Sequence, residues 1–298
     1  MKRPSRDGDS VFTIRNIIFD AVSLFTKKGI DSPQITAETL LAHVMHLTKS
    51  RLYLSFDQKV TPEERASFNR LVARRLDREP LAYIVGEKGF WTLSLAVTPD
   101  VLIPRPDTEC LVETALASIP EKKPTIDPYR ILDLGTGSGA IIISLAKERP
   151  GHQFFAVDIS MKALMVAREN VHRNLLERSV HFFCGSWLDA ITPDARFDVI
   201  VSNPPYIRKG DMASLEPEIR QYEPVLALDG DRDGLSALRA IIEASEAHLK
   251  PGGLLMIEIG DGQEKELLTI IQNTDCYARP TFHRDLTGAI RVVRVNKI

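Results

Sequence analysis

The chain has 298 residues, 44% of them apolar and 26% charged, and a formal net charge of −2. That length accommodates two domains of ordinary size, and the composition suits a core-forming globular protein rather than a disordered or fibrous one. The near-neutral balance excludes a basic nucleic-acid footprint over the whole chain, and no apolar run approaches the ~20 residues that span a bilayer.

The elements follow in chain order. Residues 1–9 are polar and read as a tail with no apolar signal core behind it. Val11, Ile14, Ile17, Ile18, Val22 and Phe25 fall at helical spacing over 11–28, and Gly29 suits the helix end. Ser32-Pro33 opens a second helix carrying Leu40, Leu41, Val44 and Met45 on one face. Thr61-Pro62-Glu63-Glu64 combines a cap, a first-turn proline and a Glu three residues after the cap, predicting a helix from Pro62 to about Arg78. Helices without intervening strands predict a small helical bundle over residues 1–86. This part holds 14 Lys and Arg against 10 Asp and Glu, whereas the remainder holds 24 against 30. The local positive excess reads as a solvated helix surface or as a face for an acidic partner. His43 and His46 stand three apart on one helix without an evident third ligand, so no metal is expected.

Partial alternation over 88–100 predicts a hairpin, placed in a linker over 87–106, with a helix near 107–118. From residue 130 strands and helices alternate. Strands are expected at 130–134, 153–157, 180–184, 197–202 and 253–259, and helices at 139–148, 161–174, 235–249 and 262–272. Two further strands flank Leu286-Thr287-Gly288. This alternation predicts an α/β domain over 107–298, built on a mainly parallel sheet with helices on both faces. The three cysteines, Cys110, Cys184 and Cys276, lack metal-ligand spacing and read as reduced thiols of a cytoplasmic protein, with Cys184 in the core. The stretch from Ile207 to Asp233 reads as a long functional loop whose Tyr222-Glu223-Pro224 and Gly230-to-Gly234 segments wall a substrate entrance. Asp231 and Asp233 lack a calcium-loop pattern and read as a polar turn.

Two motifs carry chemistry. Ile131 to Leu134 lead into Gly135-Thr136-Gly137-Ser138-Gly139 and a helix, the strand–glycine loop–helix of a doubly wound fold, where ligands meet the carboxyl ends of strands. Its glycine spacing differs from the dinucleotide fingerprint and admits a carboxylate in place of a pyrophosphate. Asp158 ends the next apolar run 23 residues after Gly135, where an acid can take a ribose diol. The second motif is Asn203-Pro204-Pro205-Tyr206 after Val199-Ile200-Val201. The prolines end strand pairing and stiffen the backbone. The segment offers a carboxamide, donor-free carbonyls and a ring, which suit a planar NH2 group; a plain surface turn is the competing reading.

These motifs resemble the class I S-adenosylmethionine-dependent methyltransferases. More closely, the chain is similar to the HemK/PrmC family, the N5-glutamine methyltransferases of peptide chain release factors. The likeness runs from about residue 70 to the C-terminus. It includes Arg78 to Gly86, Leu102 to Glu109, Gly185-Ser186-Trp187, Asn203 to Tyr206 and Tyr222-Glu223-Pro224 with Ala227-Leu228. Asp107 stands where many members have Glu.

The resemblance implies a Rossmann-like, seven-stranded sheet with an antiparallel last strand. It implies methyl transfer from S-adenosyl-L-methionine, leaving S-adenosyl-L-homocysteine and using no metal. The acceptor would be the glutamine of the Gly-Gly-Gln motif in class 1 release factors. Gly135, Thr136, Gly137, Ser138 and Gly139 would surround the methionyl part, Asp158 the ribose and Trp187 the adenine, with Asn203 also near the cofactor. The Asn203 side-chain oxygen and the Pro204 carbonyl would accept the amide hydrogens, Pro205 would line the substrate, and Tyr206 would pack on the amide plane. Arg105 and Glu109 would close over the site, and Glu258 receives no role. The N-terminal helices would recognise the partner of a monomeric, cytoplasmic enzyme with no nucleic-acid or membrane partner. The alternatives are a ribosomal-protein glutamine methyltransferase, an adenine-N6 or similar nucleic-acid methyltransferase, and a binding protein that keeps the fold without catalysis.

Overall fold

The computed structural model describes residues 12–298, so Val11 and the polar tail over 1–9 lie outside the described residues. The chain divides after Val85 into two compact units.

The first unit contains five helices among its described residues: α1 (Ile14–Lys27), α2 (Pro33–Val44), α3 (Lys49–Leu54), α4 (Pro62–Leu76) and α5 (Leu81–Val85). Thr13 caps α1 by accepting the Asn16 N–H, and Ile14, Ile17, Ile18, Ala21 and Phe25 form its buried stripe. The Thr61–Glu64 capping box is present in full, each side chain accepting the other residue's backbone N–H. Ser32 does not cap α2 with its side chain, because its backbone is left-handed at φ 46°. The helices enclose a core built on Phe25, Leu40, Leu41, Leu52 and Phe68. Burying each such side chain contributes about 1.5–3 kcal/mol.

The second unit opens with the hairpin β1 (Glu87–Phe90) and β2 (Leu93–Ala96), followed by α6 (Glu109–Ser118). The hairpin lies inside this unit because Phe90, Leu93 and Leu95 are buried in its core. Then come β3 (Arg130–Leu134), α7 (Ala140–Glu148), β4 (Gln153–Asp158), α8 (Met161–Arg173), β5 (Val180–Cys184) and β6 (Phe197–Ser202). The stretch read as a long loop contains 3-10 turns at Lys209–Ser214 and Val225–Ala227 and the short helix α9 (Pro217–Tyr222). The unit ends with α10 (Ser236–His248), β7 (Leu249–Glu258), α11 (Glu264–Gln272), β8 (Thr281–Arg284) and β9 (Ile290–Asn296).

Seven strands form one sheet in the order β5-β4-β3-β6-β7-β9-β8. The first five positions are parallel, and β9 runs antiparallel to both neighbours, as expected of the last strand. Alternate residues feed opposite cores: Ile131, Val199, Val201 and Met256 pack with α6 and α7, while Leu132, Leu134, Ile200 and Ile257 pack with α10 and α11. The chain moves outward from β3 through β4 to β5, then returns to β6 on the other flank of β3. The carboxyl ends of β3 and β6 therefore meet at a switch point, where ligands of open α/β sheets bind.

Cys184 departs from the expected core position and is exposed. It ends β5, which pairs only with β4 at the sheet edge, and only Val180 of that strand is fully buried. Cys110 is the buried thiol.

Candidate active site

The site is assembled from the ends of adjacent parallel strands. After β3 the chain turns sharply, and the Gly135 and Thr136 N–H groups both donate to Val157 O at 2.9 and 3.0 Å. Gly139 has φ 81°, and a Cβ added there would lie 2.9 Å from Ile143 and 3.3 Å from Ala167, so this glycine serves helix packing as well as the turn. The loop delivers the chain to the N-terminus of α7, where unpaired N–H groups and the helix dipole favour an anion. Asp158 ends β4 and accepts Gly137 N–H and Ser160 N–H, both at 2.8 Å. Burial raises its carboxyl above the ordinary value, while the two N–H donors pull it back down. Trp187 follows β5 with φ 46°, and its ring lies against Gly135.

A cavity of about 380 Å³ joins these parts. Gly135, Thr136, Gly137, Ser138, Asp158 and Trp187 line one side, and Arg105, Asn203 and Pro205 line another. Pro224, Leu226 and Ala227, from the stretch expected to wall an entrance, line it as well. Arg105 pairs with Glu223 at 2.5 Å, and Glu223 also accepts the Ile103 N–H at 3.1 Å. This ties two chain segments 118 positions apart.

Four of the expected site residues, Gly139, Glu109, Pro204 and Tyr206, do not line the cavity. Glu109 does not line the cavity; its carboxylate holds the Trp91 N–H at 2.9 Å, where φ 54° shapes the hairpin turn. Pro204 is buried. The Tyr206 ring packs against the core beneath β7 rather than lining the cavity, and its hydroxyl donates to Glu258 at 3.2 Å. Burial holds this phenol well above its ordinary pKa. The Gly230-to-Gly234 segment packs on the Tyr206 backbone. A Cβ on Gly230 would approach the Tyr206 backbone to 2.9 Å, so only glycine lets that segment clamp Tyr206 from outside. Gln263 donates to the Tyr206 and Gly234 carbonyls at 3.3 and 3.1 Å and completes the clamp.

Other residues of the site escaped sequence reasoning. Thr108 is buried and accepts the Asn203 Nδ2–H at 3.1 Å. Among the described residues no group engages Asn203 Oδ1. Asp133 is fully buried, accepts the Thr136 hydroxyl at 2.7 Å, leaves Oδ1 without a partner, and is pushed up to about 7 by burial. Asn170, also fully buried, donates to Ser138 O and Ala96 O at 2.9 Å and accepts Ala96 N–H at 2.6 Å, holding the glycine loop to the hairpin. An acid inside an apolar strand two residues before the first glycine was the available signal for Asp133. Asn170 gave none, because its two partners, Ala96 and Ser138, are distant in sequence.

The PrmC N-terminal domain model matches residues 17–86, and the methyltransferase small domain model matches residues 113–221. A solved 16S rRNA methyltransferase of T. thermophilus, in complex with AdoMet and guanosine, superposes with a TM-score of 0.53 at 19% identity, covering 71% of this chain and 50% of that one; the likeness is one of fold. The release factor glutamine methyltransferase of Rhodospirillum rubrum is 42% identical over 269 residues, covering 90% of this chain and 81% of its own. That of Geobacter sulfurreducens is 41% identical over 286 residues, covering 95% and 96%. Likeness at this level, running through the helical unit, the glycine loop and the Asn203 segment alike, means that the chain belongs to the release factor glutamine methyltransferase family.

Proposed function

We propose that this protein methylates the side-chain amide nitrogen, N5, of the glutamine in the Gly-Gly-Gln motif of class 1 release factors, using S-adenosyl-L-methionine. The observation that carries the reading is the Asn203 carboxamide. It stands at the cavity with its nitrogen committed to Thr108 and its oxygen unengaged among the described residues.

The donor set of the cavity fits this cofactor. The N-terminus of α7 and the glycine loop suit the methionyl carboxylate. The Asp158 carboxylate, fixed by two backbone N–H groups, retains lone pairs for the ribose hydroxyls, and Trp187 offers a ring face for adenine. When bound, the cofactor supplies a methyl group already activated by its sulfonium centre.

An amide nitrogen is a poor nucleophile, because its lone pair is delocalised into the carbonyl. The protein's contribution is therefore placement and polarity. Asn203 Oδ1 and the Pro204 carbonyl would each accept one amide hydrogen, turning the nitrogen lone pair toward the methyl group. Both acceptors favour the positive charge that develops at nitrogen as the new N–C bond forms. The amide nitrogen loses a proton to solvent with or after transfer. Placement of this kind contributes up to ~7–11 kcal/mol in favourable cases. In place of stacking on the amide, Tyr206 supports the motif from behind, since its hydroxyl is tied to Glu258.

The helical unit over residues 14–85 would supply partner recognition. The test is transfer of a labelled methyl group, followed by peptide mass spectrometry. Label on the release-factor glutamine is expected. Label confined to a ribosomal protein or to DNA would overturn the substrate assignment, and no transfer to any of them would overturn the reading.

A further inference from the structure

Glu258 closes β7 and is 1% exposed. A buried carboxylate is costly unless its oxygens are partnered. Oε1 accepts the Tyr206 hydroxyl at 3.2 Å, and Oε2 has no hydrogen-bond partner. The Thr108 hydroxyl lies beside the same carboxyl and favours its charged form. Thr108 already accepts the Asn203 N–H at 3.1 Å, so the hydroxyl proton has to point elsewhere. Among the described residues the Thr108 hydroxyl proton has no acceptor at hydrogen-bonding distance, and Glu258 Oε2, whose charge Thr108 favours, has no donor.

We infer that Glu258 is a positioning residue for methyl transfer: its carboxylate takes the Thr108 and Tyr206 hydroxyl protons and so fixes which end of the Asn203 carboxamide faces the substrate. The inference rests on the proposed reading of the cavity. The logic is one of hydrogen-bond direction. A charged carboxylate only accepts. It obliges Thr108 to donate inward, which leaves Thr108 as an acceptor toward Asn203. Asn203 must then meet Thr108 with its NH2 group and present Oδ1 to the cavity. A protonated or amide group at position 258 can donate instead, and the order of the chain is no longer imposed. Asn203 could then flip and offer its NH2 to the substrate NH2, which is repulsive. Tyr206, held by the same carboxylate, keeps the segment after the prolines in register.

The charged and titratable groups that act on Glu258 are Tyr206, Asp107 and Arg291, and the buried Cys110 thiol on α6 feels its charge as well. Asp107 opposes its ionisation, and Arg291 favours it. Arg291 is itself paired with Asp107 and Asp285, both at 3.2 Å, so its charge is shared. Burial dominates and pushes Glu258 up to about 7. The ordered arrangement is therefore present above that value and is lost as pH falls through it.

The experiment compares the full-length protein with Glu258→Gln, Thr108→Val and Thr108→Ser across the neutral pH range, on release factor with S-adenosylmethionine. Glu258→Gln and Thr108→Val should each lower kcat about 10- to 100-fold with cofactor KM within about twofold, as expected when a reacting group is misplaced. Thr108→Ser should restore most of the rate. The double variant should be no slower than either single one, and the fall of kcat on the acid side should disappear in Glu258→Gln. A parallel readout needs no turnover: the side-chain NH2 resonance of Asn203 should titrate near neutrality in the wild type and not in Glu258→Gln. Wild-type kcat and pH dependence in Glu258→Gln would overturn the inference, as would an Asn203 resonance indifferent to pH and to the substitution. Loss of folding and of cofactor binding together in Glu258→Gln would overturn the inference and leave Glu258 a purely structural role. Failure of the wild type to methylate release factor would count against the reading of function alone, since the Asn203 resonance tests the positioning independently.

Discussion

Asn203 donates its side-chain N–H to the Thr108 hydroxyl at 3.1 Å, across 95 positions of sequence. This bond joins the two most distinctive segments of the chain, Arg105 to Glu109 and Asn203 to Tyr206. It gives the first a physical role, which is to hold the carboxamide of the second in one orientation. Arg105 contributes on the same segment by pairing with Glu223, which ties down the stretch that follows the prolines.

Asn203→Ala should leave the fold and cofactor affinity near wild type and reduce kcat by about 10²–10³, the usual cost of losing one polar contact at a charge-developing atom. Asn203→Asp keeps an acceptor but adds a charge and loses the donor to Thr108, so it too should be slow. Steady-state methylation of release factor, with calorimetry of cofactor binding, separates the two effects. A near-normal rate in Asn203→Ala would remove this residue from the mechanism.

Asp158→Ala should weaken binding of S-adenosylmethionine by roughly ten- to a hundredfold, since hydrogen bonds to charged groups contribute ~1.5–3 kcal/mol. The same change removes the acceptor for the Gly137 and Ser160 N–H groups, so part of the loss reflects a looser loop. Calorimetry with the cofactor and its demethylated product measures it. An unchanged dissociation constant in a folded variant would exclude Asp158 from the binding site.

The pH dependence of stability should reveal Asp133. Its folded-state value, about 7, lies above the ordinary 3.8 because burial penalises the charge. Its stabilising contribution is full below the ordinary value and is lost as pH rises through about 7. Asp133→Asn cannot ionise. Relative to wild type, this variant should therefore gain stability as pH rises from about 4 to about 8, by up to about 4 kcal/mol. Denaturant unfolding of both proteins across that range gives the difference directly. A difference independent of pH would mean that Asp133 ionises normally.

A fragment beginning at Gly86, where the second unit starts, should fold and bind cofactor yet lose most of its activity on intact release factor. The hairpin must be kept, because Phe90, Leu93 and Leu95 belong to that unit's core. A Gly-Gly-Gln loop offers little area, so affinity for the intact factor needs a second surface acting through effective concentration. Rates on intact factor and on a short Gly-Gly-Gln peptide, with full-length protein and fragment, test this. Equal losses on both substrates would indicate a damaged active site, and full retention on intact factor would give the helical unit another task.

Legibility in the sequence followed the range of the signal. The Thr61–Glu64 capping box, the glycine turn after β3 and the proline stop after β6 are each written within a few adjacent residues, and each forms where expected. Strand and helix positions from 130 onward also followed from apolar runs and their punctuation, because β3, β6 and β7 are short apolar runs buried almost throughout, as central strands covered on both faces are.

Side-chain partnership was not legible, since it depends on which strands become neighbours. Glu109 was expected over the site but caps the hairpin turn at Trp91 instead. Cys184 reads as core in an apolar run, yet it is exposed because strand order puts β5 at the edge. Tyr206 was expected on the substrate amide, and its hydroxyl is instead tied to Glu258, a partner 52 positions away that no local signal marks.

By itself, then, the sequence determined the elements, the glycine loop, the acid after β4 and the stiff Asn203 segment, all products of short-range sterics and periodicity. Tertiary structure decided how these act together. Sheet order brings the ends of β3 and β6 side by side and places Glu258 at the end of the adjacent strand β7. The burial around the Asn203–Thr108 and Tyr206–Glu258 hydrogen bonds exists only in the folded chain, because a hydroxyl or carboxyl in water has no preferred partner.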